Sequence, residues 1–318
     1  MEKTKFFISW SIDCEATQHS VRDPELGERG SAGFADVLEE FQLKATFFVT
    51  PGDIESRPAL YRNLGDRGFE IGLHLHPADV GFSEFMGVMG PEEQRRAIVI
   101  ARQRWSQVMG TVPCAFCMGY GSANDFTYGI LEEAGFTHGQ ISIPGRRLPE
   151  CACVWEGAPL YVHYANRYNR LLAGDMDFVE VPHTIDLTSY MWGGRHPQDY
   201  RVELVDAKNH WYTAQKSVMA QIGNPKVPIK IIRGVTHNTF DYSDPRNFRR
   251  ETLRDMISGL FAILQDCGCV PVPATVGDIA AEYRRQVAKP DPSQQYQLDR
   301  RGYAKTPESH PTSRKGAS

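Results

Sequence analysis

The chain has 318 residues, of which 41% are hydrophobic and 23% charged, and a formal net charge of -4. This describes an ordinary soluble globular protein, with no basic surface for nucleic acid and no apolar run long enough to span a membrane. Cys14, Cys114, Cys117, Cys151, Cys153, Cys267 and Cys269 lack the spacing of a disulfide framework or a zinc finger, and the opening MEKTKFFISWSIDCE lacks a signal peptide's apolar stretch, so a cytoplasmic location is expected.

Strand-like and helix-like segments alternate from the start. KFFISWSID predicts a strand, GFADVLEEF a helix, ATFFVT a strand, PALYRNLGDRG a helix and FEIGLHLHP a third strand. PEEQRRAIVIARQRWSQVMG places Ile98, Ala101, Trp105 and Val108 on one helical face, started by Pro91 and closed by Gly110. CAFCMGYG, HGQISI, FVEVPHT, VPIKIIRGVTH and CVPVPATV read as further strands, with helices predicted in DFTYGILEEAG, HWYTAQKSVMAQIG and NFRRETLRDMISGLFAILQDCG. About eight strands are enough to close a barrel, and the length suits one α/β unit. The expectation is a single distorted (β/α)7-8 barrel over 1–287 and a flexible tail over 288–318, where prolines and serines are many and core residues few.

Connections from helix to strand are short (LKA, DRG, GTVP, GNPK), whereas several that leave a strand are long, among them PADVGFSEFMGVMG and DLTSYMWGGRHPQDY. In a parallel barrel the long loops share the C-terminal face, where sites are built. The strand-end residues are therefore the candidates. In FEIGLHLHP, His74 and His76 are two apart and share one side of the strand, and two imidazoles in an apolar strand are costly to bury unless something engages their nitrogens. A metal accounts for them better than coincidence. At the end of the first strand Asp13 and Glu15 again share a side, with Cys14 opposite, so that one carboxylate can bind metal while the other serves as a base. The plain alternative is that these acids cap the strand or pair with Arg29 or Arg233. His183 and Asp186 end a later strand and are candidates for substrate contact, with an ordinary strand-end hydrogen bond as the equal alternative. Tyr190 and Trp192 lie in a long loop, where exposed aromatics stack on sugar faces or simply close over a barrel.

Taken in order, SIDCE, HLHP, CMGYG and VTHN each end a predicted strand, and over residues 5–276 the chain resembles a polysaccharide deacetylase of the NodB-homology type, carbohydrate esterase family 4, in a divergent branch. The resemblance implies a hydrolase that removes an N-acetyl or other acyl group from an amino sugar or related amide. It implies Asp13 as general base and His237 as general acid. It also implies Glu15, His74 and His76 as ligands of a divalent metal, zinc before cobalt, nickel or manganese, and the Tyr120 backbone amide at the oxyanion. Cys14 stands where the family has a second aspartate, so the carboxylate ligand falls to Glu15; the histidines are i,i+2 rather than i,i+4. Cys117 replaces the motif arginine and Gly119 the motif proline, leaving Arg233, four residues before His237, as the arginine to reach the barrel mouth. With Trp192 and His183 it completes the expected substrate side. The implied partner is a carbohydrate or small-molecule amide, with no nucleic acid and no membrane, and a homo-oligomer is compatible with the sequence. Two other readings are a metal-free amidohydrolase of a small cyclic amide, allantoinase-like, and a carbohydrate-binding protein without turnover.

Overall fold

The computed structural model describes residues 3–16, 23, 25–204 and 207–290. The first half runs β1 (Lys5–Cys14), α1 (Leu26–Glu40), β2 (Ala45–Val49), α2 (Pro51–Ser56), α3 (Pro58–Asp66), β3 (Glu70–Leu75), α4 (Pro91–Met109), β4 (Ala115–Met118), α5 (Thr127–Glu133) and β5 (His138–Gln140). Then come β6 (Arg147–Leu148), β7 (Cys153–Val154), β8 (His163–Tyr164), β9 (Val179–Glu180), β10 (Ile185–Met191), β11 (His196–Asp199), α6 (Ala207–Gln221), β12 (Ile231–His237), α7 (Phe248–Asp266), β13 (Val270–Pro273) and α8 (Val276–Gln286). The expected tail falls outside the described residues beyond Pro290.

The main sheet has nine strands in the order β12-β1-β2-β3-β4-β5-β9-β8, with β13 beside the start of β1. All pairs in it are parallel except β8 with β9. The sheet curls into the expected distorted (β/α)7-8 barrel, but among the described residues no strand ladder joins β9 to β12. That seam is crossed by single backbone bonds. Tyr200 N–H donates to the Thr184 carbonyl (2.9 Å), Val202 N–H to that of Val235 (3.1 Å) and Val235 N–H to that of Tyr200 (3.1 Å).

Strand parity separates two cores. In β1 the even residues Phe6, Ile8, Trp10, Ile12 and Cys14 face the outer helices and join the large cluster with Phe34, Leu38 and Phe47. The odd residues face the barrel interior, where Phe7 packs against Phe48, Val179 and Ile231, and α8 closes the N-terminal end with Val276, Ile279 and Tyr283. Above this apolar floor the interior turns polar. Ser9, Ser11 and Asp13 of β1 face Arg233 and His237 of β12, in register as Ser9 with Arg233 and Asp13 with His237. The same parity brings His74 of β3 beside Cys117 of β4.

Two stretches differ from the sequence expectation. Residues 185–199, expected as a loop, form the antiparallel hairpin of β10 and β11, turning through Trp192, Gly193 and Gly194, all at positive φ. The turn-forming WGG hid the strands, whose outward residues are polar. The glycine-rich stretch before residue 33, also expected as loop, is the first turns of α1. Glycine disfavours helix intrinsically, and here tertiary contact overrides that preference. A Cβ on Gly30 would stand 2.5 Å from the Asn238 carbonyl oxygen, and one on Gly33 2.2 Å from the Ser243 nitrogen. The small face of α1 thus lies directly on the segment that follows His237. Because the obstruction is backbone, Gly33→Ala is expected to cost about 1–3 kcal/mol through overpacking, seen as a lower urea midpoint with an unchanged m-value.

Candidate active site at the strand ends

Four strands deliver the site. Asp13 is on β1 with Glu15 just past it, His74 is near the end of β3 with His76 one step beyond the strand, Cys117 is on β4 and His237 ends β12. The Glu15 carboxylate is the hub. Its Oε2 lies 2.9 Å from His76 Nε2 and 3.4 Å from His74 Nε2, and its Oε1 lies 3.7 Å from His237 Nε2. Asp13 Oδ2 stands 4.0 Å from the same His237 nitrogen. Arg29 pairs with Asp23 and Asp241, so it leaves both site acids free.

Each of these groups is held by neighbours, some outside any motif and some within one. Glu84 places Oε1 2.7 Å from His76 Nδ1, fixing the ring. Glu203 hydrogen-bonds His237 Nδ1 through Oε1, while its Oε2 accepts from Thr236 Oγ1 at 3.0 Å. Asn238 Oδ1 accepts from Glu15 N–H (2.9 Å), and its amide nitrogen donates to buried Asp53 (2.9 Å), which also accepts from Ala16 N–H. Gly119 supplies room, because a Cβ there would lie 2.6 Å from the His76 ring. That is the physical reason for glycine after CM in CMGYG.

Electrostatics follow from the crowding of acids around imidazoles. Burial lowers the His76 pKa, but the carboxylates of Glu15 and Glu84 more than reverse this and raise it to about 10. Burial likewise works against the charged form of His237, and Glu203, with Glu15 and Asp13, lifts it to about 9. For Glu15 burial acts upward, yet hydrogen bonds from His74 and His76 hold it well below the ordinary carboxylate range. The cluster draws cations. Glu15, His74 and His76 each offer a ligand atom, all within 4.8 Å of one another, in a two-imidazole, one-carboxylate set suited to zinc or a neighbouring transition metal. The Glu84 carboxylate behind His76 is the support that ligating histidines have, and His74 Nδ1 is buried with no hydrogen-bond partner. The donor set therefore fits a divalent metal. Asp13, His74 and Cys117 also bring ligand atoms within 4.8 Å. Burial and the Asp13 carboxylate push the Cys117 thiol well above its ordinary value, and its Sγ donates to Asp13 Oδ1 (3.6 Å).

Arg233 does not reach the mouth. It is 1% exposed and sits one layer below, donating to the Pro182 carbonyl (3.2 Å), Ser11 Oγ (3.0 Å) and Gln140 Oε1. Residues four apart in a strand share a side but differ in height by four rises of ~3.3 Å, which is why parity alone brought Arg233 to the wrong level. Gln140 relays it upward, its Nε2 standing 3.5 Å from both Asp13 Oδ1 and Cys117 Sγ. Arg201, in the seam beside Val235, does share a cavity with Asp13. It pairs with Asp199 (3.0 Å) and lines a cavity of about 80 Å³ together with Asp13, Tyr120, Gln140, Arg146 and His183. His183 is buried there 3.6 Å from Asp199; burial first, then the Arg233 charge, keeps its imidazole neutral by lowering its pKa well below the usual value. Asp186 is elsewhere, bound to Lys216 (2.6 Å) and Thr188. Tyr120, at φ 59°, lays its half-exposed ring edge-on to His76 at 5.2 Å, and Trp192 stacks on His196 at 4.5 Å.

Against known proteins, residues 25–139 match the family model described as polysaccharide deacetylase. No curated protein matches the chain. Among solved structures, a protein named as a polysaccharide deacetylase from Mycobacterium smegmatis has a TM-score of 0.60 at 16% identity, over 91% of this chain and 96% of that one. Puue allantoinase gives 0.59 at 15% identity over 89% and 91%, and a protein named as a polysaccharide deacetylase from Pseudomonas aeruginosa PAO1 gives 0.58 at 13% over 89% and 92%. At such identities the likeness is one of fold. No helix among the described residues is long and apolar enough to cross a membrane.

Proposed function

We propose that this chain, which carries a polysaccharide deacetylase match over residues 25–139, is a metal-dependent hydrolase that removes an acyl group, acetyl foremost, from the nitrogen of an amino sugar or a related amide. The observation that carries this reading is the convergence of Asp13 and the Glu203-supported His237, 4.0 Å apart on adjacent strands, beside the Glu15, His74 and His76 cluster. Glu15, His74 and His76 would hold the metal, zinc by donor type with cobalt, nickel or manganese as substitutes. When bound, it supplies Lewis acidity to the acyl carbonyl and to water.

The chain's own groups handle the protons. Asp13 has Oδ1 occupied by Cys117 and Gln140, which leaves Oδ2 facing His237 and the reacting water. Asp13 takes a proton from that water as its oxygen bonds to the acyl carbon. The Tyr120 backbone N–H steadies the charge that gathers on the carbonyl oxygen. His237, kept protonated by Glu203 on Nδ1, gives the Nε2 proton to the nitrogen as the C–N bond breaks, yielding a carboxylate and an amine. Trp192 and His183 stand on the substrate side, and Arg233 acts through Gln140 as a positioning residue. The test is acetate and free-amine release from N-acetylglucosamine oligomers, with metal content measured on the same preparation. Release of both products that stops on chelation and returns with zinc is expected; full activity in a metal-free preparation would overturn the metal's part.

A further inference from the structure

Beside the cluster that handles the amide, the cavity of about 80 Å³ is lined by a buried guanidinium that no carboxylate among the described residues pairs with. Arg146 is 5% exposed. Its Nη1 donates to the Tyr120 carbonyl (2.9 Å) and lies 3.8 Å from Cys153 Sγ, while its Nε is buried without a partner. Among the described residues it has no carboxylate within ion-pair distance, whereas its neighbour Arg201 is met by Asp199. The Trp192 ring, 5.6 Å from the guanidinium, offers only a cation–π contact. A buried guanidinium without a carboxylate partner keeps an uncompensated desolvation cost unless an anion completes it, and its planar fork suits a carboxylate.

We infer that this cavity is an anion subsite, and that the substrate is an amide bearing a carboxylate on a short arm, held by Arg146 while the scissile carbonyl lies toward Asp13. This rests on the hydrolase reading and narrows its substrate class. A monoanion suits the single guanidinium, whereas a phosphate dianion would set a second negative charge against Asp13 in the same cavity. The small volume limits the arm to a few atoms. His183, neutral by burial, lines the cavity without adding a second cation.

The test is calorimetric binding of N-acetylglycine and of its neutral amide, to the protein as purified and after chelation, so that coordination to metal is separated from binding at Arg146. N-acetylglycine is expected to bind at least about tenfold tighter in both states. The ratio is expected to fall to near one in Arg146→Met and to recover in part in Arg146→Lys. Equal binding of the two ligands by the unmodified protein would overturn the inference, as would an unchanged ratio in folded Arg146→Met or tighter binding of inorganic phosphate. Should Arg146→Met fail to fold, the unmodified protein and Arg146→Lys still decide it. Binding needs no turnover. A carboxylate preference in a protein that hydrolyses no amide removes only the proposed reaction, and hydrolysis of neutral amides without that preference removes only this subsite.

Discussion

Replacing His76 with alanine is expected to strip the protein of metal and of hydrolytic activity together, with the fold retained. His76 has Nε2 on Glu15 and Nδ1 on Glu84, so its removal takes away one of three ligand atoms and leaves two carboxylates facing each other. Loss of a supporting group alone costs about 10–100-fold in metal affinity, and a direct ligand exceeds that. Metal per chain after dialysis, measured by emission spectroscopy, should fall from near one to near zero, and circular dichroism should stay unchanged. Full metal retention in His76→Ala would sink the assignment of the three ligands. His74→Ala is the weaker experiment, because that ring is buried in the strand and its loss also opens a void.

Asp13→Asn is expected to behave in the opposite sense, keeping the metal while losing turnover. The substitution preserves shape and the hydrogen bonds of Cys117 and Gln140 can rearrange around it, but the amide cannot accept a proton from water. A positioned general base contributes about 10²–10⁴-fold, so kcat should drop by that much with KM nearly constant. If Asp13→Asn also empties the metal site, Asp13 is a ligand and the base must be sought elsewhere.

Much of this site was written in strand periodicity. His74 with His76 and Asp13 with Glu15 were legible because each pair is two apart at the end of an apolar strand, and parity forces each pair onto one side. His237, which has no such partner, was legible only through the strand-end VTHN that carries the family resemblance. The groups that tune them were not. Glu84 and Glu203 are acids in loops, and nothing in their neighbours distinguishes them from solvated surface acids. Gln140 carried a usable signal, a polar residue on the interior side of HGQISI, of the same kind that drew attention to the histidines. Arg201 lay hidden because the hairpin before it was read as loop, and only the seam contacts of Tyr200 and Val202 bring it beside β12, into the cavity that Asp13 also lines. Arg233 shows the limit of parity, which gives the side of a strand but not the height at which a long side chain ends its reach.

The position of β1 governs when such a site can exist at all. β1 pairs on one side with β2, which follows it directly, but on the other with β12, Phe7 meeting Ile231 and Asp13 meeting His237. A nascent chain that has finished β5 therefore holds Glu15, His74 and His76 on a sheet whose leading edge is still bare. Closure waits for a partner from the far end of the polypeptide, and pairings of such long sequence separation are slow to form. During that interval β1 presents open backbone groups and an apolar flank, the condition under which chains meet their neighbours instead of themselves. His237 is thus the last of the clustered strand-end residues to be made, and a chain cut short before it would bring Glu15, His74 and His76 together with no imidazole from β12 beside them.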